Sequence, residues 1–412
     1  MAVAPFNHGT RVLTLGEEPR PIEVADVSTI GAVVTAPELD TNVFPYDEPV
    51  HFYTHEADKV AALGDTGTAL DVVSAVRAQG IEASIVMVIA EEGVDAGDTR
   101  ANLVAACPAL EIALGHVGVE PDILLAPGYA ATRIADAKNP LADALDTVAA
   151  KLGAIAILDT GGPDKETSLA YRADFSSRFC YLVDPMVRVL PAGETVPVVK
   201  PAAPYVAGLM VKRDKEKGGP YWSPSNQEAR GVLGTARPVS YYDGEIDHEA
   251  NYLNENGIAT FIPARTVLSG AGELSANGRI LWGNRTTSDD PLWVFVNVVR
   301  TRATIEKTIA RSFRWANDQN LSSQLVIAVM RSLQEFLDEL KAVGAILGGE
   351  AYWEREVNTN ANLRLGKLRI EFDAEEAPPL EDLTFGSRRN EAYFDVLADE
   401  INRKISLSFT TG

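Results

Sequence analysis

The chain has 412 residues, 46% of them hydrophobic and 23% charged, as in an ordinary globular protein with room for two or three domains of about 150 residues each. Binding to nucleic acid or to an anionic membrane needs clustered Lys and Arg, so the formal net charge of -21 argues against both. The N-terminal stretch lacks the basic start and apolar run of a signal peptide, and no run reaches the roughly 18 apolar residues of a membrane span.

The first predicted element is a short strand in RVLTLG, residues 11–16, where Leu13 and Leu15 are in phase. From about residue 26 to 190, short apolar runs then alternate with helix-length amphipathic segments. This alternation predicts an α/β fold with a mostly parallel sheet and covering helices. The predicted strands are residues 28–36, 49–55, 84–90, 122–126, 154–158 and 179–183.

The composition changes near the Pro-rich segment 185–204, beyond which all five tryptophans lie, and we predict a domain boundary there. Further strands are predicted at 257–263 and 291–299. A helix is predicted from about 321 to 344, because its apolar residues recur at steps of three and four. These residues are Val326, Val329, Leu333, Phe336, Leu340 and Val343.

Alternating segments near the chain ends resemble strands with one apolar face. In KISLSFTTG the apolar residues are Ile405, Leu407 and Phe409, and GKLRIEF repeats the alternation near residue 370. A strand at a chain end presents unpaired N–H and C=O groups that can pair with another molecule. Pattern alone leaves open whether these strands pair with a neighbour or within their own subunit.

Motifs that carry enzyme chemistry are absent from the sequence. There is no glycine-rich dinucleotide motif, phosphate loop or nucleophile elbow. The segment DTGGPDK, residues 159–165, could offer backbone N–H groups to a phosphate at a helix start, but so short a match is more typical of an ordinary strand-to-helix turn. His51 and His55 lie at a strand end, where residues four apart do not converge. We therefore predict no catalytic, metal or cofactor site. Cys107 and Cys180 are expected to be buried thiols.

A soluble α/β nucleotide-binding enzyme is the alternative from another class. It would use the loops after strands 84–90 and 154–158. Equilibrium dialysis with common nucleotides would separate it from a structural protein.

The stretch YWSPSNQEARG, residues 221–231, contains Ser225 and Glu228 at the spacing of a capping box. In such a box the hydroxyl accepts from a backbone N–H of the first helical turn, and the Glu reaches back to the cap. The sequence therefore predicts that this stretch starts a helix.

The longer segment VAGLMVKRDKEKGGPYWSPSNQEARGVLG, residues 206–234, resembles the signature of phage contractile tail sheath proteins of the P2-like subgroup. Other segments agree with that family in the expected order, and the resemblance covers essentially the whole chain. They are STIGAVVTAP, PDILLAPGY, LNENGIATF, WGNRTTSDDPLWVFVNVVRTR and GKLRIEF. One departure is local: the family pattern has adjacent arginines where this chain has Arg300, Thr301 and Arg302.

The resemblance implies a structural protein that is a homo-oligomer, stacked as hexameric rings in a helical sheath around a tail tube. It implies as partners the tail tube protein and the baseplate and tail terminator proteins. Contraction of an extended, metastable sheath would drive the tube through the host envelope for genome ejection. The expected location is the virion, after assembly in the host cytoplasm. A phage-derived bacteriocin or injection system is an alternative that the sequence leaves open.

The resemblance also implies a division of the chain. Residues 1–22 would form an N-terminal arm, 23–200 an outer domain, 201–398 an inner domain facing the tube, and 399–412 a C-terminal arm strand. In this family, exchanged arms add strands to a sheet of the next subunit. The strand exchange is assigned to the alternating segments, through Val12, Leu13, Thr14, Leu15, Leu368, Ile370, Phe372, Ile405, Leu407 and Phe409.

A basic helix face stands out in this acidic chain. Lys307, Arg311 and Arg314 are spaced four and three residues apart and so share one face of a predicted helix. We predict that this face points at an acidic tube surface. A solvated face paired with acids of the same subunit is the alternative.

Overall fold

The computed structural model of the protein describes residue 22 and residues 28–264 and 278–409. The chain divides into two compact units, Met1–Pro379 and Leu380–Gly412. We call them the core unit and the C-terminal unit.

A nine-stranded sheet forms the centre of the core unit, in the order β2-β3-β1-β4-β5-β6-β11-β12-β9. The pairs from β3 through β11 are parallel, and β2, β12 and β9 join antiparallel. The strands predicted between residues 28 and 183, and the one at 257–263, are confirmed. Their bounds are β1 Ile30–Thr35, β2 Pro49–Tyr53, β3 Ser84–Ala90, β4 Ile123–Leu125, β5 Ile155–Asp159, β6 Cys180–Val183, β9 Gln227–Glu228, β11 Ile258–Pro263 and β12 Arg279–Trp282.

Helices cover both faces of this sheet, and the alternate residues of one strand accordingly lie in two different cores. In β3, Ile85 and Met87 lie in the core beneath the first helix set, and Val86 and Val88 in the core beneath the second. The first set is α1 Ala57–Ala61, α2 Ala69–Ala78 and α7 Ala203–Lys217. The second is α3 Ala96–Ala106, α4 Ala113–Val117, α5 Pro140–Leu152, α6 Lys165–Arg172 and α8 Glu249–Glu255.

Residues before and after residue 200 belong to the same sheet and the same helix layer. Strand β11 pairs with β6, and α7 packs closely on α2. The approach needs a glycine, since a Cβ at Gly208 would lie 3.0 Å from Val76 Cα. The boundary predicted near residue 200 thus runs through one sheet and one core. A three-stranded sheet, β10-β7-β8, also joins the two sides through β7 Val187–Val189, β8 Val198–Lys200 and β10 Gly234–Thr235.

A third core lies under the last part of the core unit. The helix predicted at 321–344 is confirmed as α10 Ser323–Ala342, and its apolar stripe packs Leu333, Phe336 and Leu340 into this core. The other elements are α9 Val296–Ser312, β13 Ile346–Tyr352, α11 Asn360–Arg364 and β14 Glu371–Glu376, with 3₁₀ turns at Cys107–Leu110, Pro291–Trp293 and Phe313–Ala316.

The strand predicted at residues 291–299 is wrong. A 3₁₀ turn, Pro291–Trp293, is followed by the start of α9 at Val296. The first six residues of α9 are all buried, so its apolar residues do not form a one-sided helical stripe. A short apolar run does not distinguish a buried strand from a buried helix.

The C-terminal unit contains α12, Ala392–Phe409, where the alternation in KISLSFTTG predicted a strand. That prediction is wrong for the single chain. Phe394, Leu397, Ile401 and Ile405 recur at steps of three and four, and this longer helical period includes the short alternating segment. On a helix, Ile405 and Leu407 point about 200° apart, so they do not share a face as they would on a strand.

Candidate assembly surfaces

The two-stranded sheet β13–β14 is carried by α10. Its strands are antiparallel, and Phe372 is opposite Ala351 of the same subunit. The Gln334 side chain on α10 accepts from Ala351 N at 2.9 Å and donates to Gly349 O at 3.3 Å, which fixes the sheet to the helix. Within the part of the chain that the structure describes, each strand pairs on one side only. Neither strand has a second strand partner there, but side chains already bond part of each strand's backbone: Gln334 bonds Ala351 N and Gly349 O, and Arg302 donates to Ala374 O at 2.6 Å.

The residues assigned to strand exchange fall into different settings. Phe372 lies in β14 and pairs within its own subunit, while Leu368 and Ile370 precede that strand. Ile405 and Leu407 lie on α12 and are 50% and 65% exposed. Phe409 is the last residue of α12, and Val12, Leu13, Thr14 and Leu15 lie outside the described residues.

α12 carries an exposed apolar surface, formed by Phe394, Leu397, Ile401 and Ile405. Single exposed apolar side chains are ordinary on a monomer, but a contiguous exposed stripe marks an interaction surface. We call these four residues the α12 stripe.

The signature segment, residues 206–234, does not start a helix at Ser225. Hydrogen bonds there hold it against β12 and the residue after that strand. Ser225 Oγ accepts from Gly283 N at 3.0 Å, Asn226 N donates to Leu281 O at 2.7 Å, and Gln227–Glu228 forms β9 at the sheet edge. The helix cap predicted for Ser225 and Glu228 is therefore wrong. A capping box needs helical residues after it, and here Asn226 has a φ of 59° and the chain continues as a strand.

Other parts of the signature segment hold it against its surroundings. Tyr221, and not the neighbouring Trp222, is buried in the third core. The side chain of Gln79, the C-cap residue of α2, donates to Arg230 O at 2.8 Å and accepts from Arg230 N at 3.0 Å. The motif is therefore explained by packing between α7, α2, β12 and α9.

A buried ion pair links the signature segment to α9. Arg300 donates two hydrogen bonds to the Asp214 carboxylate, at 2.9 and 2.5 Å, and Ser28 Oγ donates to the same group at 3.1 Å. Both charged side chains are at least 95% buried. Two residues further on, Arg302 Nε donates to Glu376 of β14 at 2.6 Å. Sequence reasoning missed these partners, although an Arg inside an apolar helix start was a usable signal.

The basic face of α9 is paired within its own subunit. Lys307 contacts Asp122 and also Glu120 at 3.0 Å, and Arg311 lies 3.1 Å from Glu120. Burial raises the pKa of Asp122 to about 6, although the Lys307 charge opposes this shift. For Lys307 and Arg311 the structure matches the alternative of pairing with acids of the same subunit. Arg314 lies in the turn Phe313–Ala316 and is exposed.

Buried carboxyl groups at the end of the parallel strands serve the fold. Asp159 Oδ1 accepts from the N–H groups of Ala202 and Ala203 at the start of α7, at 2.7 and 3.1 Å. Asp184 accepts from Ser168 Oγ at 2.7 Å and also contacts Arg237. Burial raises the pKa of Asp159 to about 7. These acids bind a helix start and neighbouring side chains.

Asp159→Asn should remove a pH dependence of stability. The pKa of Asp159 rises from 3.8 to about 7 on folding, so between these pH values the folded state binds the extra proton. Stability from this group therefore increases as the pH falls from about 7 towards 4. Asn keeps an oxygen that can accept from both N–H groups, and it does not ionise. The free energy of unfolding of the variant should therefore exceed that of wild type by more at pH 8, where the wild-type Asp159 is mostly ionised, than at pH 5.

Urea unfolding at the two pH values measures this difference. Asp164→Asn is the control, because Asp164 is the exposed N-cap of α6, has a lowered pKa and is ionised at both pH values. An equal gain for Asp159→Asn at pH 5 and pH 8 would contradict the prediction.

The described residues include both cysteines, and they contain neither a metal-binding cluster nor a membrane-spanning helix. Cys107 and Cys180 are fully buried and unpaired, as expected, and burial raises the pKa of Cys107 to about 12. No group of three His, Cys, Asp or Glu side chains there is placed to hold a metal ion. In the same residues, no helix is both long and apolar enough to span a membrane.

Comparisons with known proteins relate this chain to tail sheath proteins. Residues 99–268 match the phage tail sheath protein central domain, and residues 288–388 match the phage tail sheath C-terminal domain. The chain is 33% identical over 394 residues to a putative prophage major tail sheath protein of Pseudomonas aeruginosa (strain UCBPP-PA14), covering 92% of this chain and 95% of that protein. It is 28% identical to the tail sheath protein of Escherichia phage P2, covering 97% and 100%.

Solved structures show the same fold at low sequence identity. The PVC sheath complex of an extracellular contractile injection system, in its contracted state, has a TM-score of 0.67 at 15% identity, covering 95% of this chain and 100% of that one. The contracted helical sheath of the anti-feeding prophage has a TM-score of 0.65 at 18% identity, covering 94% and 100%. The fold is thus that of contractile sheath subunits. The chain belongs to the phage tail sheath protein family, which is a family of structural proteins.

Proposed function

We propose that this chain is the structural subunit of a contractile phage tail sheath, which polymerises as stacked hexameric rings around a tail tube. The observation that carries the proposal is the relationship to a prophage major tail sheath protein over 92% of the chain. Contraction of the assembled sheath would drive the tube through the host envelope during genome ejection. Its location would be the virion, after assembly in the host cytoplasm.

The terminal segments would connect neighbouring subunits. Each strand of the β13–β14 sheet has one strand neighbour among the described residues, so a strand could be added at its other edge once the Gln334 or Arg302 side chain moves aside; main-chain hydrogen bonds would then supply affinity. The segments around Val12–Leu15 and Ile405–Phe409 would supply the strands. For the second segment this requires α12 to unfold and extend at its end. The exposed residues of the α12 stripe before that end, Phe394, Leu397 and Ile401, would complete their packing on a neighbour.

Contraction would need no nucleotide. Subunits would rotate and slide as rigid bodies, and the free energy would come from packing that improves between two lattice states. The partners would be a tail tube protein, baseplate proteins and a tail terminator. Of the three predicted tube-facing residues, Arg314 is the one whose exposure suits that role. The same mechanics would serve a phage-derived bacteriocin or injection system.

Negative-stain microscopy of the purified full-length chain tests the proposal. We expect long hollow sheath polymers of regular pitch, either from the chain alone or after a tail tube protein is added. A monodisperse monomer that does not polymerise under either condition would contradict it.

A further inference from the structure

A cleft of about 290 Å³ lies between the end of α5, the turn before β6 and the outer face of α9. Its lining includes four cationic side chains, Lys151, Arg178, Arg302 and Lys307, and one carboxylate, Glu306. Most of its charged lining side chains are thus cationic, in a chain with 58 acidic and 37 basic residues. The cleft lies wholly within the core unit.

Three of the four cations already have carboxylate partners in the subunit. Lys151 pairs with Glu111 at 2.8 Å, and Arg302 with Glu376 at 2.6 Å. Lys307 is held by Glu120 and Asp122. Within residues 28–264 and 278–409, the guanidinium of Arg178 has no hydrogen bond or ion pair, and its contacts are with aromatic rings.

The rings hold Arg178 in place. Its Cζ atom lies 4.6 Å from the centroid of Trp293 and 4.9 Å from that of Phe179. The turn beneath it is fixed, since Thr287 Oγ1 donates to Ser177 O at 2.7 Å and accepts from Ser177 N at 3.2 Å. Stacking leaves the N–H donors in the guanidinium plane available. Arg and Trp are both enriched among the few residues that contribute most of the binding energy at protein interfaces.

We propose that this cleft binds a carboxylate side chain of a second copy of this chain, with Arg178 as the bidentate donor and Trp293 as the apolar floor. The argument for a second copy is charge complementarity, because 58 of the chain's 95 formally charged residues are acidic. An Arg–carboxylate pair at this site is charge-assisted and geometrically specific. The proposal rests on the proposed function, since a second copy meets this surface in the assembled sheath.

Arg178→Glu should raise the critical concentration for tube formation about tenfold or more at low salt, because it places two carboxylates together at the contact. Arg178→Lys keeps the charge but loses the planar pair of donors, and should show a smaller increase. Thermal unfolding of the subunit should change little, because Arg178 has no charged partner inside it. Lys165→Glu is the matched control: Lys165 also lies over an aromatic ring, 5.5 Å from Tyr252, but far from this cleft.

Pelleting of tubes at several concentrations gives the readout. Wild-type assembly with unchanged assembly of Arg178→Glu would overturn this inference and leave the proposed function standing. Wild type that forms no tubes would overturn both. Arg178→Glu could form sheath polymers normally by itself but fail to assemble around a tail tube. In that case the occupant of the cleft is the tail tube protein, and the second-copy assignment is wrong.

Discussion

Replacing Ile401 and Ile405 of α12 with Asp should abolish tube formation and leave the subunit folded. Both side chains are about half exposed in the subunit, so the core does not depend on them. If they are buried against a neighbour, each contributes roughly 1.5–3 kcal/mol, and losing both weakens assembly by a factor of about a hundred or more. Microscopy and pelleting measure the loss, and circular dichroism checks the fold.

The same helix offers a matched control. Asn402 and Ser406 are also four residues apart and exposed, so Asn402→Asp with Ser406→Asp adds the same charge beside the α12 stripe. This double variant should assemble nearly as wild type does. If both double variants assemble equally well, the α12 stripe is not an assembly surface.

Arg300→Met should destabilise the subunit by roughly 3–5 kcal/mol, because it leaves the buried Asp214 carboxylate without its main partner. Replacing both residues, Arg300→Met with Asp214→Leu, should recover a large part of that loss, since no unpaired charge then remains buried. Urea unfolding of the unassembled subunit measures both changes.

Arg369→Met is the control for this experiment. Arg369 pairs with Glu371 at 2.5 Å, but its side chain is 65% exposed. An exposed pair of this kind contributes about 0–1 kcal/mol. A loss for Arg300→Met no larger than that for Arg369→Met would show that the buried pair does not hold α9 in place.

The parallel sheet was predictable because its strands are buried on both faces. Segments such as IVMVIA, residues 85–90, are buried and apolar at every position, and the helices between the strands are long enough to show their period. Order along the sheet was not predictable from these runs. The pairing of β11 with β6 joins residues on both sides of the Pro-rich segment, and composition alone had suggested a boundary there.

The wrong secondary-structure predictions arose where a short segment fits both a helix and a strand pattern. Ser225 and Glu228 have the spacing of a helix cap, but hydrogen bonds to Gly283 and Leu281 hold the segment as an edge strand. At α12, four residues with helical spacing outweigh three with strand spacing. For α9, the pattern correctly placed Lys307 and Arg311 on one face. It could not show Asp122, which is 185 residues away from Lys307 in the sequence.

Helix α9 is tied by ion pairs to three different parts of the core unit: to α7 through Asp214, to β14 through Glu376, and to the start of β4 through Asp122. A force applied to the two-stranded sheet β13–β14 would therefore reach the nine-stranded sheet through α9 and its ion pairs, and not through the loops between the two sheets. In the proposed contracting sheath, we therefore expect the contacts between subunits to change before the centre of each subunit does.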